Sequence, residues 1–359
     1  MPRPILVTIH SQALQQNLRR VREKAHDREV WAVVKANAYG HGIANAVESF
    51  AEADGLATLE MRDAVFIRAL GWKKRILLLE GFFDEADLLE LERYDVETVV
   101  HSDWMLELLK QHGPYQNLKV HIKVNTGMNR LGFAPEDFEA VRDELSAIPG
   151  CKVQGVVTHF ANAEKFVASD KVATVKAQLA SLGKLAQVKG ACLANSGATI
   201  FHDEVAGDAV RAGVVLYGVS PDSAVTSAEL GLTPAMTLSA QIIAVQHVKA
   251  GQAVGYGSRW VAKRDCRIAV VACGYADGYP RSMPDGAPVW VENTVAPMVG
   301  SVSMDMMTID VTDLPQAQIG SWVELWGQHI SVNDLAKLCG TIGYELLTAL
   351  APRVPVIAN

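Results

Sequence analysis

At 359 residues the chain is long enough for about two domains of ~150 residues each, or for one barrel with an addition. Hydrophobic residues make up 49% and charged residues 20%, a balance that buries a sizeable core and excludes a disordered chain. The net charge of −7, without any Lys/Arg block, argues against a nucleic-acid partner, and no apolar run approaches the ~18 residues of a membrane span. Five cysteines (Cys151, Cys192, Cys266, Cys273 and Cys339) are far apart with no Cys-x-x-Cys, which reads as free thiols in a reducing compartment and no metal site. Met1 to His10 lacks a basic segment followed by an apolar one, so a cytoplasmic location is expected.

The first two thirds alternate. Leu6–Ile9 reads as a strand, and Ser11 caps a helix running to about Ala25. Strands follow at Val30–Val34, Leu56–Leu59, Ile76–Leu79, Thr98–Val100, Leu118–Val124, Val153–Thr158 and Val210–Leu216. Between them lie helices at Ile43–Ala53, Arg62–Leu70, Phe83–Arg93, Asp103–Gln111, Pro135–Leu145 and Lys171–Leu185. Seven or eight such units in ~215 residues favour a closed (β/α)8 TIM barrel over an open sheet. Beyond Pro221 the grammar changes to strands at Thr233–Val248, Arg267–Val271, Val289–Val291, Met306–Val311 and Trp322–Leu325, with helices only at Asn333–Leu338 and Glu345–Leu350. The expected organisation is an α/β barrel domain, 1–225, and a smaller, mostly β domain, 226–359.

Lys35 ends the apolar strand Val30–Val34 and precedes small, turn-prone residues. Burial disfavours a charged ammonium, so a lysine there suits a Schiff base, which needs a neutral, nucleophilic amine near pH 7. A lysine snorkelling out of a strand end fits the same segment. Arg130, on the glycine-flanked loop Thr126–Phe133, suits a carboxylate or phenolate, or is a plain surface arginine. His159 ends the next strand, where a packed core histidine is the alternative. Asn195-Ser196-Gly197-Ala198 turns from a strand end into a helix N-terminus that offers N–H groups and a hydroxyl to a phosphate. Arg211 and Gly213 add a cation and an approach free of side chains. On a barrel Lys35, Lys123 with Arg130, His159 and Asn195-Ser196 fall at the C-terminal ends of strands, where active sites lie.

Six ordered blocks carry a resemblance: Val34–Gly42, Thr126–Gly132, Ala194–Gly197, Val254–Gly257, Gly274–Gly278 and Ser303–Asp305. Through them the chain, from Ile5 to Val356, resembles the alanine racemases, pyridoxal 5'-phosphate enzymes with a barrel and a C-terminal β domain. The wording around Ser303–Met306 and Ala351–Pro355 is closer to the catabolic branch of that family. The resemblance implies interconversion of L- and D-alanine by two bases. Lys35, which holds the cofactor, would be one, and Tyr256 from the partner subunit of a homodimer the other. His159 would lie against the cofactor ring and touch Tyr256. Arg211 would lie behind His159 and face the pyridine nitrogen, leaving it unprotonated. Tyr39, Ser196, Gly213, Val214 and Tyr344 match phosphate-binding positions, with Asn195 adjoining them. Arg130 would hold the cofactor's phenolic oxygen and the substrate carboxylate, the latter shared with the Met304 backbone. Lys123 matches a lysine that is carbamylated in relatives, and Tyr275 and Asp277 match a narrow substrate entrance. An amino-acid decarboxylase of similar architecture and a non-catalytic cofactor carrier are the competing readings. Arg211 and Tyr256 speak against the first, and the whole β domain against the second.

Overall fold

The structure is a computed structural model that describes residues 3–164 and 169–359. Strand β1 (Ile5–Ile9) is followed by the helix Ser11–Ala25, which buries Leu14, Leu18, Val21 and Ala25 at helical spacing. Eight parallel strands then close into a barrel: β2 (Glu29–Val33), β3 (Gly55–Thr58), β4 (Arg75–Leu78), β5 (Glu97–Val100), β6 (Leu118–Lys123), β7 (Cys151–Val157), β8 (Cys192–Ala194) and β9 (Ala209–Ala212). Closure pairs β2 with β9, with Trp31 opposite Arg211. Several of these strands are buried along their whole length, as expected where helices cover the outside and side chains fill the inside.

The remaining strands are β10 (Met236–Val248), β11 (Ala253–Val254), β12 (Trp260–Val261), β13 (Cys266–Val271), β14 (Pro288–Val291), β15 (Thr294–Pro297), β16 (Met307–Asp310), β17 (Trp322–Trp326) and β18 (Val356–Ala358). The main sheet runs β15-β14-β17-β10-β1-β18, with β13 beside β10 and β16 beside β13. The first half of β10 buries Met236, Leu238, Ala240 and Ile242 and turns Thr237, Ser239 and Gln241 outward, the alternation of a one-sided antiparallel sheet. Its register shifts between Ile242 and Ala244, where β13 takes over as partner.

Three expectations need correction. Leu6–Ile9 is no barrel strand: β1 pairs antiparallel with β10 and parallel with β18, so the chain's first strand belongs to the C-terminal sheet. The barrel keeps eight strands because β8, only three residues long, supplies the place that β1 leaves. Ser11 does not cap the first helix: His10 is the N-cap residue, without a side-chain capping bond.

The two parts meet closely at the barrel mouth. Gly40, with φ +80°, lies so near the helix Gly343–Thr348 that a Cβ there would come 2.2 Å from the Leu347 carbonyl oxygen. Asn17, fully buried, donates to the Leu216 and Thr233 carbonyls and accepts from the Thr233 amide, fastening the connection between them to the first helix. Among the described residues no helix is long and apolar enough to cross a membrane.

Candidate active site

The expected barrel residues converge at the C-terminal ends of the strands. Lys35 follows β2, Lys123 ends β6, His159 follows β7, Asn195 and Ser196 follow β8, and Arg211 and Gly213 lie on and just after β9. The segment after Lys35 is a left-handed turn: Ala36, Asn37, Ala38 and Tyr39 all have φ between 51° and 54°. Left-handed backbone costs an L-residue roughly 1–2 kcal/mol, so the turn stores about 4–8 kcal/mol. Its bonds run Ala38 N to Val34 O (2.9 Å), Gly40 N to Ala36 O (3.1 Å) and Gly42 N to Asn37 O (2.9 Å). The turn points Lys35 and Tyr39 into the mouth.

Tyr39, Ser196, Gly213 and Tyr344 form one cradle. The Gly213 amide donates to Ser196 Oγ at 2.8 Å, and a Cβ on Gly213 would come 2.5 Å from the Tyr39 hydroxyl. Only glycine keeps this space open. The Tyr39 and Tyr344 rings are 6.1 Å apart, and burial raises both phenols above their usual pKa, so both stay neutral donors. Val214 begins the short 3-10 turn after Gly213. Asn195 is the N-cap of the helix Ser196–Phe201, its Oδ1 accepting from the Ala198 amide at 3.0 Å, and its Nδ2 lies 3.4 Å from His159 Nε2. Hydroxyls and free first-turn amides make the cradle suitable for a small oxyanion.

Four cationic or potentially cationic groups crowd the same mouth. Arg211 is buried and has no carboxylate partner among the described residues; it donates to the carbonyls of Cys192, Thr158 and Leu193 and to Cys192 Sγ at 3.3 Å. Burial and the nearby Arg211, Arg130, Lys123 and Lys35 push His159 down to about 3, so its imidazole is neutral. Burial, then Arg211 and Arg130, lower Lys123 to about 8. Lys35 is lowered too, by burial first and Arg130 in part, with Glu80 acting in the opposite sense. Arg130 is exposed on its loop. Asn125 Oδ1 shapes that loop by accepting from the Gly127 and Asn129 amides at 3.1 and 3.0 Å.

The residues expected from the β domain lie elsewhere. Tyr256 is 72% exposed, and its phenol has no hydrogen-bond partner among the described residues. Met304 and Tyr275 are also exposed. They share one face with Tyr256: the Tyr275 amide donates to Ser303 O, the Ala276 amide to Met304 O, and Ser301 Oγ to Tyr256 O. Asp277 does not line an entrance. It is fully buried, accepting from Arg3 at 2.7 Å and Arg353 at 2.8 Å, and its Oδ2 accepts from the Gly274 amide.

Sequence reasoning missed two contributors. Glu80, just beyond β4, is the carboxylate that acts on Lys35 and Lys123. Gln178, buried on the helix Ser169–Leu182, donates to Thr126 Oγ1 and His159 O and accepts from the Ala161 amide, joining the Arg130 loop to His159. A polar residue on the inner side of a helix was the only available signal, and it names no partner.

Comparison with known proteins agrees with this arrangement. The family described as alanine racemase, N-terminal domain, matches residues 9–221, and alanine racemase, C-terminal domain, matches residues 235–358. An alanine racemase of Paraburkholderia phytofirmans is 46% identical over 360 residues, covering all of both chains. The solved structure of the biosynthetic alanine racemase from Pseudomonas aeruginosa superposes with a TM-score of 0.95 at 40% identity, covering 99% of each chain. Alanine racemase from Bartonella henselae, solved with covalently bound pyridoxal phosphate, gives 0.85 at 28% identity over 100% of each chain. With both halves matched and the likeness running end to end, the chain belongs to the alanine racemase family.

Proposed function

We propose that the chain is a pyridoxal-phosphate-dependent alanine racemase whose site is completed by a second copy. Lys35 and the second copy's Tyr256 are its two bases. The observation that carries this reading is the pairing of a lowered-pKa lysine with the glycine-gated cradle of Tyr39, Ser196 and Gly213 in one barrel mouth. The cradle fits the cofactor's phosphate: two neutral phenols, a hydroxyl and an amide converge where a Cβ would block it. The functional units are the barrel, 1–225, and the β part, 226–359, the latter completed by β1.

When bound, pyridoxal phosphate draws electrons from the substrate's α-carbon. Lys35 Nζ would hold the cofactor until the substrate's amine displaces it, and the freed amine would then move a proton at one face of that carbon. Tyr256 of the second copy moves a proton at the other face, so inversion needs no rotation of the substrate. A phenol of pKa ~10 is a weak base near pH 7. Arg211, Arg130 and Lys123 place positive charge at the mouth that the second copy's Tyr256 would enter, and neutral His159 would hydrogen-bond its hydroxyl. Arg211 would stand toward the cofactor's pyridine nitrogen with a group that gives up no proton. Arg130, with the second copy's Met304 backbone, takes the substrate carboxylate, and Tyr275 limits the side chain to methyl size. The exposed face bearing Tyr256, Tyr275 and Met304 supports this division of labour, because these residues stand on the outside of their own chain.

The test is α-proton exchange of each alanine isomer in D2O for wild type and Tyr256→Phe. The wild type should exchange and invert both isomers. The variant should keep exchange of D-alanine and lose that of L-alanine by at least ~10²-fold. Exchange without inversion in the wild type, or release of CO2 from other amino acids, would overturn the racemase reading.

A further inference from the structure

The left-handed turn at 36–39 contains no glycine, so something outside it must hold it. Tyr217 is placed to do so. It is buried at the end of the 3-10 turn Val214–Tyr217, directly after the Gly213 cradle. Its hydroxyl donates to the Val33 carbonyl at 2.8 Å, at the end of the strand that delivers Lys35. Its ring stacks on Tyr39 at 4.7 Å and lies 4.6 Å from His41, with Phe50 edge-on at 6.0 Å. His41 is fully buried, and its Nδ1–H donates to the Tyr39 carbonyl at 2.9 Å. One aromatic residue thus touches the start of the turn, its end and the cradle loop.

We propose that Tyr217, assisted by His41, is a positioning residue that clamps residues 36–39 in the left-handed form and thereby fixes Lys35 relative to the Tyr39 phenol. Its meaning for catalysis rests on the cofactor reading above; the clamp itself does not. Without the stack, Tyr39 relaxes toward right-handed backbone, and the bonds from Gly40 N to Ala36 O and from Gly42 N to Asn37 O open. Burial pushes the His41 imidazole down to about 4, so the Nδ1–H bond persists in the neutral ring across the working pH range. Tyr217 and His41 are not left-handed, so the strain of this cluster lies in the turn and relieving it should replace the clamp. Ala36 is exposed and left-handed, and glycine adopts that conformation freely.

The experiment measures amide hydrogen exchange of the apoprotein for Tyr217→Phe and Tyr217→Leu, each with and without Ala36→Gly, together with pyridoxal phosphate affinity. Tyr217→Leu should speed exchange at Gly40 and Gly42 by ~10-fold or more, leaving Ile122 in β6 as in the wild type. Tyr217→Phe, which keeps the stack, should change the same amides less. Ala36→Gly should restore protection at Gly42 and tighten cofactor binding in both backgrounds. A Tyr217 that only fills the core leaves Gly40 and Gly42 protected as in the wild type, with or without Ala36→Gly, because the turn then holds without it. Unchanged protection at Gly40 and Gly42 in the variants, or no restoration by Ala36→Gly, overturns the clamp. Should Tyr217→Leu not fold, Tyr217→Phe with Ala36→Gly decides by the same signs. A wild type that binds no pyridoxal phosphate refutes the cofactor reading and leaves the exchange result to judge the clamp.

Discussion

His41 and His159 are both held uncharged, the first by full burial and the second by burial beside four cations. Their folded values of about 4 and about 3 lie below the ordinary 6.5, so the unfolded chain takes up protons first as pH falls. Stability that is intact above pH 6.5 should therefore drain away between 6.5 and those folded values, by roughly 2 kcal/mol per histidine at pH ~5. Glu97 does not confuse this window. Its bonds to His121 and Arg75 hold its carboxylate well below the usual 4.5, so its contribution is lost only at lower pH. Urea midpoints of the apoprotein at pH 7 and pH 5 measure the effect, and His41→Gln should flatten the difference. An equal slope in that variant would place the protons elsewhere. At this scale the sequence was legible where a residue broke its surroundings, as Lys35 does after Val30–Val34. It was not legible where the surroundings are made by distant chain. Asp277 sits in a motif beside Tyr275, an expected entrance residue, yet Arg3 and Arg353, distant in sequence, turn it inward as a buried anchor.

Short connecting elements carry the site, and their failures should be local. Gly213→Ala puts a methyl group 2.5 Å from the Tyr39 hydroxyl, in the cradle proposed for the phosphate. Cofactor affinity should fall by ~10²-fold or more, while the apoprotein melts within a few degrees of wild type. Equilibrium dialysis against pyridoxal phosphate checks the first statement and circular dichroism the second. An unchanged affinity would remove Gly213 from the cradle. The elements hardest to read were those whose form is imposed by neighbours. Ala36-Asn37-Ala38-Tyr39 lacks the glycine that normally announces left-handed backbone, and its conformation comes from Tyr217, Leu347 and the bonds across the turn. β8 is too short to show a period. β1 is apolar enough to pass for a barrel strand, although only Ile5, Val7 and Ile9 are fully buried, the mark of a half-exposed sheet.

At the scale of the whole molecule, the proposed site needs two chains: the barrel mouth of one and the exposed Tyr256 face of another. Activity per chain should therefore fall on dilution through the dimer dissociation range, with no loss of the barrel's far-ultraviolet signal. Constant activity across dissociation, followed by sedimentation, would show that one chain suffices. The barrel and the β part were each legible from the change of grammar past Pro221, because periodicity reports how a strand is covered. Their interlocking was not, since β1 and β10 are separated by more than two hundred residues of barrel. That interlock has a consequence for how the protein is made. β1 is made before both of its neighbours, β10 and β18, and the Ile9 carbonyl accepts from the amide of Asn359. It must wait unpaired until β10 is made, and with one edge open until β18 follows. A nascent chain stalled before Val356 would keep that edge open, and a permuted gene joining Asn359 to the residues before Ile5 would let both neighbours emerge together.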